Sequence, residues 1–270
     1  MGPNPTADNL SFRIGLGTGS LRSEKECTKT VQAALNEGYR HIDTARHYEN
    51  EAAIGTAIDR ADIPREEVFL ATKIHSDNLS EKGVQQSISA SLNALDINRI
   101  DLVYVHWPAH EYVPEETLPA LERLRSNNTI RHIGLSNFTV DLVEEARSVI
   151  GAPIFAVQGE MHPFLPRKNL VEYTNQNDIW FVAHTPFCQG GVFDDKTILD
   201  IANENCVSRA KVVMKWILSK GRVAAVPGSR RKYLHENHAL HNIELSENDI
   251  RRIDQIQRTK RCVDYDFSPW

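Results

Sequence analysis

The chain has 270 residues, of which 41% are hydrophobic and 25% are charged, so it is long enough to bury a sizeable core. Its 31 Lys and Arg residues against 36 Asp and Glu residues give a net charge of -5. Because this balance creates no global basic field, we expect neither nucleic acid nor an anionic membrane surface as a partner.

The cysteines and the N-terminus predict a cellular compartment. Cys27, Cys188, Cys206 and Cys262 lie far apart and form no CxxC pair, which indicates neither a zinc knuckle nor a disulfide scaffold and predicts reduced thiols. The first residues carry no basic segment followed by an apolar one, and no apolar run approaches the roughly 18 residues that span a bilayer. The sequence therefore predicts a cytoplasmic protein.

Short apolar or β-branched runs alternate with amphipathic stretches along the whole chain. The predicted strands are residues 12–16, 39–43, 68–73, 100–106, 130–135, 154–158, 179–184 and 223–226. The predicted helices are residues 25–37, 51–59, 81–95, 115–125, 140–149, 168–177, 209–220 and 247–258. Eight β-α units within about 250 residues match a closed (β/α)₈ TIM barrel better than a doubly wound sheet, which usually has fewer strands. We expect this α/β barrel to be a single domain over residues 1–270.

Polar residues end or directly follow six of the predicted strands. They are Asp43, Lys73, His106, Ser136 with Asn137, Gln158 with Glu160, and His184. Because the active sites of such barrels lie at the C-terminal ends of the strands, we expect these side chains to face one mouth.

Lys73 ends an otherwise apolar strand, where burying its charge is costly without a carboxylate partner. The neighbouring strand supplies Asp43, and a structural ion pair is one interpretation. The other is catalytic. A tyrosine hydroxyl has a reference pKa of about 10, and a nearby ammonium stabilises the phenolate, so Lys73 could activate Tyr48 as a proton donor. With His106 donating a hydrogen bond to a substrate oxygen, these groups would protonate a developing alkoxide.

A metal site is a further alternative, because His41, Asp43 and His47 cluster as the ligands of barrel hydrolases do. Lys73 would place a positive charge in that site. The sequence therefore favours a site without a metal.

Six motifs carry a resemblance to a known family. They are residues 15–18 (GLGT), 38–45 (GYRHIDTA) with 48–51 (YENE), 72–73 (TK), 101–108 (DLVYVHWP), 133–138 (IGLSNF) and 158–163 (QGEMHP). In this order they resemble the aldo-keto reductases, and within that family the bacterial 2,5-diketo-D-gluconate and methylglyoxal reductase branch. The resemblance covers nearly the whole chain.

The resemblance implies reduction of a small-molecule aldehyde or ketone, including keto-sugars and 2-oxoaldehydes, by a nicotinamide coenzyme. The family's catalytic tetrad matches Asp43, Tyr48, Lys73 and His106, with the tyrosine as general acid. Its coenzyme contacts match Ser136, Asn137, Gln158, His184, Thr185, Phe187, Glu236 and Asn237. The predicted pocket wall comprises Gly19, His47, Trp107, Phe138 and the C-terminal residues 265–270 with Trp270.

Residues 226–232 (VPGSRRK) follow the last strand, where barrels often bind phosphate at a helix N-terminus. Ser229, Arg230, Arg231 and Lys232 are the predicted phosphate ligands, with a solvated basic turn as the alternative. They favour NADP, because guanidinium groups suit a phosphate. NAD stays open, because Gly228 and Tyr233 stand where relatives commonly have the Lys and Arg that contact the 2′-phosphate.

Two other positions depart from the family pattern. His184 stands where relatives usually stack an aromatic ring on the nicotinamide, which predicts weaker coenzyme binding. Gly19 replaces a pocket aromatic, which predicts a wider mouth. A non-catalytic coenzyme-binding regulatory subunit of the same fold, or a metal-dependent barrel hydrolase, remain the alternative functions, and the protein is expected to be a monomer.

Overall fold

Eight parallel strands form one sheet in the computed structural model, which describes residues 10–228, 230–240 and 243–270. In chain order they are β1 (Leu16–Gly17), β2 (His41–Asp43), β3 (Phe69–Ile74), β4 (Ile100–Val105), β5 (Ile130–Ser136), β6 (Ile154–Glu160), β7 (Trp180–His184) and β8 (Val223–Ala225). Bridges between Ile14 and Ala225 and between Gly17 and Gly228 join the last strand to the first. The prediction of a (β/α)₈ barrel is confirmed.

The helices cover the outside of this sheet. They are α1 (Leu10–Arg13), α2 (Glu24–Asn36), α3 (Glu51–Asp59), α4 (Glu81–Leu95), α5 (Pro114–Ser126), α6 (Val140–Val149), α7 (Lys168–Gln176), α8 (Lys196–Glu204), α9 (Arg209–Leu218), α10 (Leu234–His238) and α11 (Glu247–Asp254). In α4, Val84, Ile88 and Leu95 are buried at helical spacing, and the Ser80 hydroxyl caps the helix by accepting a hydrogen bond from Gly83 N at 3.3 Å. Helices α3, α4 and α6 have the predicted bounds.

The first predicted strand is wrong for most of its length. Residues 10–13 form α1, and only the short β1 follows. The reason is packing, because Phe12 lies beneath the barrel with its ring 5.0 Å from that of Phe69 and 4.9 Å from that of Trp180. The Arg13 side chain fixes α1 there by donating a hydrogen bond to the Val223 carbonyl at 2.9 Å. A short apolar run has the same sequence pattern whether it forms a strand or packs across the end of a barrel.

The prediction missed α8 and α10. Helix α8 begins at Lys196 and is capped by Asp195, whose carboxylate accepts hydrogen bonds from the backbone of Thr197 and Ile198. Among the described residues, no helix is long and apolar enough to cross a membrane.

The prediction of reduced thiols is wrong for one pair of cysteines. Cys188 and Cys262 form a disulfide with a Cα–Cα distance of 5.7 Å, although 74 residues separate them in the chain. Cys27 is a buried free thiol and Cys206 an exposed one. The pair was missed because only the fold returns the C-terminal tail, residues 255–270, to the segment that follows β7.

Replacing Phe12, which packs beneath the barrel, should lower the stability of the fold. Phe12 is 1% exposed, so Phe12→Ala should lower the free energy of unfolding by about 3–5 kcal/mol, since it removes a fully buried ring and leaves a cavity. Urea denaturation measures this loss, and Phe12→Leu, which keeps most of the volume, should lose less. Equal stability of Phe12→Ala and the wild type would contradict the role.

Candidate active site

A buried ion pair lies at the C-terminal ends of β2 and β3. The Lys73 ammonium donates hydrogen bonds to Asp43 Oδ1 and, at 2.9 Å, to the Thr44 carbonyl. The second Asp43 oxygen accepts a hydrogen bond from Gln158 Nε2 at 2.7 Å. Lys73 Nζ also lies 5.4 Å from the centroid of the Tyr48 ring. The structure therefore brings together the lysine, the carboxylate and the tyrosine that the sequence singled out.

The electrostatics of this pair keep the lysine charged. Burial by itself lowers the pKa of Lys73, but the Asp43 carboxylate and then the Tyr48 side chain outweigh it, and the pKa lies above its ordinary value. A permanent ammonium thus faces the tyrosine in a place that water hardly reaches. Such a charge stabilises a phenolate more strongly than it would in water.

His106 follows β4 and lies across from the tyrosine, with the two ring centroids 6.0 Å apart in an edge-on arrangement. Burial lowers the pKa of His106 well below its ordinary value, and the positive charge of Lys73 lowers it further. The imidazole is therefore neutral at pH 7. A neutral imidazole carries one N–H, which it can donate to an oxygen placed between His106 and Tyr48.

Asn50 holds the loop that carries Tyr48. Its side-chain oxygen accepts a hydrogen bond from Thr44 Oγ1 at 2.7 Å, and its amide donates to the carbonyls of Thr18 at 3.0 Å and Leu21 at 3.2 Å. One buried amide thus joins the segments that follow β1 and β2. The motif at residues 48–51 contains Asn50, but no sequence pattern indicated a positioning role for it.

Glu51 fixes the same loop from the other side. Its carboxylate accepts a hydrogen bond from Thr72 Oγ1 at 2.8 Å and pairs with the Arg46 guanidinium at 3.1 Å. Glu51 is buried, so these two partners satisfy a charge that would otherwise be costly to bury. The signal in the sequence was an acidic residue at a helix start, which predicts a cap rather than this contact.

A cleft of about 1190 Å³ opens beside the tetrad. Its walls include most of the predicted site residues: Gly19, Asp43, His47, Tyr48, His106, Trp107, Ser136, Asn137, Gln158, His184, Thr185, Phe187, Arg230, Glu236 and Asn237. Tyr265 and Phe267 of the C-terminal tail line it too. Several other wall residues were not predicted, among them Arg22, His75, Ser208 and Arg209.

Two predicted pocket residues do not border the cleft. Phe138 is fully buried in the core, where its ring packs edge-on against Tyr112 at 5.3 Å. Trp270 packs against Trp107 at 5.6 Å, and the Arg261 guanidinium lies 3.9 Å from its ring. Phe138 is thus a core residue, and Trp270 supports the wall from behind.

Of the basic run at residues 230–232, too, only a part borders the cleft. Arg230 borders the cleft, whereas Arg231 points to α2 and pairs with Glu26 at 3.2 Å. Lys232 Nζ lies 4.6 Å from the ring of Tyr233 and does not border the cleft. Ser229 lies outside the described residues. The structure therefore separates one arginine of this run from its two basic neighbours.

His184 lies at the floor of the cleft. Its Nε2 is 3.0 Å from Asn137 Oδ1 and its Nδ1 is 3.0 Å from Thr185 Oγ1. Burial lowers the pKa of His184 to about 4. The ring is therefore neutral at pH 7, and both of its nitrogens have a partner.

The side chains considered as metal ligands, His41, Asp43 and His47, do not converge at the tetrad. His41 lies one layer below, with Nδ1 3.0 Å from the Phe12 carbonyl, while the His47 ring packs against that of His75. Within residues 10–228, 230–240 and 243–270, the side chains that approach one another as a ligand set would are Glu160, His162, Cys188 and Cys262. They lie behind the cleft, at the disulfide.

Acidification should destabilise the fold through two half-buried histidines, His184 and His132. The pKa values of His184 and His132 are about 4 because burial disfavours their charged forms. The unfolded chain takes up protons below about pH 6.5 and the folded one does not, so the free energy of unfolding should fall as pH decreases from about 6.5 towards 4. Urea midpoints across this range measure the slope, which His184→Phe should make shallower. An identical slope in that variant would contradict the assignment.

Comparison with known proteins shows which family the chain belongs to. The model of the aldo/keto reductase family matches residues 13–258. The methylglyoxal reductase DkgB of Escherichia coli O157:H7 is 33% identical over 253 residues, which are 93% of this chain and 94% of that protein. The glyoxal reductase of Bacillus subtilis (strain 168) is 33% identical over 249 residues, 92% of this chain and 90% of that protein.

Solved structures agree as well. A candidate 2,5-diketo-D-gluconic acid reductase B superimposes with a TM-score of 0.91 at 30% identity, over 95% of this chain and 92% of that one. MGS-M4, an aldo-keto reductase from a deep-sea metagenome library of the Medee basin, gives 0.88 at 28% identity over 95% and 94%. The family uses nicotinamide coenzymes to reduce small carbonyl compounds. With the family model matched over most of its length, this chain belongs to the aldo/keto reductases and is an oxidoreductase.

Proposed function

We propose that this enzyme reduces small aldehydes and ketones, including 2-oxoaldehydes or keto-sugars, to alcohols with NADPH, and that Tyr48 supplies the proton. The observation that carries the proposal is the charged Lys73, held by Asp43 and placed against Tyr48 at the wall of an open cleft. The similarity to a methylglyoxal reductase and a glyoxal reductase supports dicarbonyl compounds of this size as substrates.

The cleft fits a nicotinamide coenzyme. Its walls carry the buried hydroxyl of Ser136 and the amide of Gln158 beside the neutral ring of His184. A carboxamide requires hydrogen-bond donors and acceptors of this kind, and a neutral ring does not repel a nicotinamide that becomes positively charged. Glu236 and Asn237 on α10 border the same cleft and would hold the adenine.

The residues of the tetrad would then divide the chemistry. A bound nicotinamide coenzyme would supply the hydride for the carbonyl carbon. Tyr48 donates its proton to the carbonyl oxygen, and the Lys73 ammonium stabilises the phenolate that remains. Asp43 keeps Lys73 charged and in place, while His106 holds the carbonyl oxygen with its N–H.

The preference for NADPH rests on Arg230, with Arg209 at the start of α9 as a second cation that borders the cleft. A guanidinium binds a phosphate through paired hydrogen bonds. Gly228 and Tyr233 lack the charges that relatives commonly present at these positions, so use of NADH is the alternative.

Two other functions make different use of these residues. A regulatory subunit that only binds coenzyme has no need for the acid, whereas this chain keeps Tyr48, Lys73, Asp43 and His106 together. A barrel hydrolase would require ligands around a metal, whereas Lys73 places a cation beside Asp43. A monomeric state and a cytoplasmic location, where nicotinamide coenzymes are available, complete the proposal.

Tyr48→Phe tests the proton donor. The variant should lose carbonyl reduction by a factor of about 10² or more, because no other group at that point donates a proton, while coenzyme binding should be largely unchanged. NADPH oxidation with methylglyoxal measures the first and quenching of protein fluorescence by NADPH the second. Turnover close to that of the wild type would exclude Tyr48 as the donor.

Arg230→Ala tests the coenzyme preference. Loss of a charge-assisted contact should raise the Kd for NADPH about tenfold, the equivalent of about 1.4 kcal/mol, with little change for NADH. Arg231→Ala is the matched control, because this arginine pairs with Glu26 outside the cleft. Equal effects of the two substitutions would show that Arg230 does not read the 2′-phosphate.

A further inference from the structure

The Cys188–Cys262 disulfide joins two segments that both border the cleft. Cys188 belongs to the stretch that follows β7, whose neighbouring residues Phe187 and Gln189 line the wall. Cys262 belongs to the C-terminal tail, from which Tyr265 and Phe267 also line the cleft. One covalent bond thus fixes the floor of the cleft to the tail that covers it.

The stretch after β7 has a backbone that depends on such a constraint. Thr185 (φ 52°), Cys188 (φ 45°) and Gln189 (φ 56°) all adopt left-handed conformations without being glycine. Conformations of this kind cost free energy, most of all for a β-branched residue, and persist where the surroundings impose them. The disulfide is one of those surroundings.

The tail has a second, non-covalent attachment close by. The Glu160 carboxylate accepts hydrogen bonds from the backbone of Cys262 at 2.6 Å and Val263 at 3.0 Å, and shares one with His162 at 2.7 Å. These bonds keep Cys262 near Cys188 whether or not the sulfurs are joined. A dithiol held in this way can re-form its disulfide without a search of the whole chain.

The two cysteine residues differ in exposure. Cys188 is 1% exposed, whereas Cys262 is half-buried at the edge of the tail. A thiol or a small disulfide from solution would therefore react first at Cys262. The chemistry that this site accepts is thiol–disulfide exchange with a low-molecular-weight thiol of the glutathione type.

We propose that Cys188 and Cys262 form a redox-active site that controls how tightly the tail closes the cleft. In oxidation the Cys262 thiolate attacks a low-molecular-weight disulfide RSSR, forms a mixed disulfide and releases one RS⁻. The Cys188 thiolate then attacks the Cys262 sulfur and releases the second RS⁻. Two protein thiols lose two electrons and two protons, and RSSR becomes two RSH.

The effect of this redox site on the cleft rests on the proposed function, because that function assigns the same cleft to substrate and coenzyme. With the bond formed, Tyr265 and Phe267 are held against Trp107, each with ring centroids 5.5 Å apart. With the bond broken, the tail keeps its attachment to Glu160 but is no longer fixed to the stretch after β7. Reduction should therefore loosen both the substrate wall and the coenzyme floor.

The first experiment detects the bond itself. Trypsin cleaves after Lys168, Lys196 and Arg261, so the oxidised native protein should yield residues 262–270 joined to residues 169–196. Mass spectrometry of thiol-alkylated protein, equilibrated at stepped ratios of reduced to oxidised glutathione, should show this linked peptide decreasing as the ratio rises. If it never forms, or if zinc bound stoichiometrically by the reduced protein blocks alkylation of both thiols, the proposal is overturned.

The second experiment detects the effect on the cleft. The reduced wild type should have a Kd for NADPH and a KM for methylglyoxal about threefold or more above those of the oxidised form. Cys188→Ser and Cys262→Ser should have the Kd and KM of the reduced form at every ratio of reduced to oxidised glutathione. Cys206→Ser, which alters an exposed thiol elsewhere, should respond like the wild type. Unchanged constants on reduction of the wild type would overturn the control of the cleft.

The two proposals fail in distinguishable ways. The linked peptide and the fluorescence measurement of NADPH binding require no carbonyl reduction. A protein that shows the redox-dependent Kd but reduces none of the carbonyl compounds would refute the proposed function and leave the redox site standing.

Discussion

The burial of one ammonium group governs the arrangement of this active site. Lys73 stands in β3, a strand whose six residues are all buried, and a charge in that position is tolerated only with a close carboxylate. Asp43 supplies it from the adjacent strand. The same demand that makes the pair necessary for the fold places a permanent cation beside Tyr48, so the stability of the fold and the proton transfer proposed for Tyr48 rest on one interaction.

From that pair, hydrogen bonds extend along the mouth of the barrel. Asp43 accepts from Gln158 on β6, which ties the tetrad to the floor of the cleft. Asn137 then joins two histidines, because its amide donates to the His106 carbonyl at 3.0 Å and its oxygen meets His184. The residues proposed to contact substrate and those proposed to contact coenzyme thus belong to one hydrogen-bond network, and a change at either end should reach the other.

The C-terminal tail completes the cleft from outside the barrel. It is held by Glu160 at the end of β6 and by the Cys188–Cys262 bond, and its aromatic residues pack on Trp107. Strands of a barrel are rigid because both faces are covered, whereas a tail can be attached or released at little cost to the core. Control of access is therefore better placed on the tail than on the tetrad.

The sequence by itself determined the barrel and predicted that Asp43, Lys73 and His106 would face one mouth, because strand periodicity and polar residues at strand ends are local patterns. The predicted coenzyme contacts came instead from the resemblance of its motifs to a known family. It could not determine that Phe12 plugs the barrel, that Phe138 turns into the core or that Arg230 alone of its basic run borders the cleft. Nor could it pair two cysteines far apart in the chain. Each of these contacts joins residues that are distant in the chain, and only the tertiary structure brings such residues together.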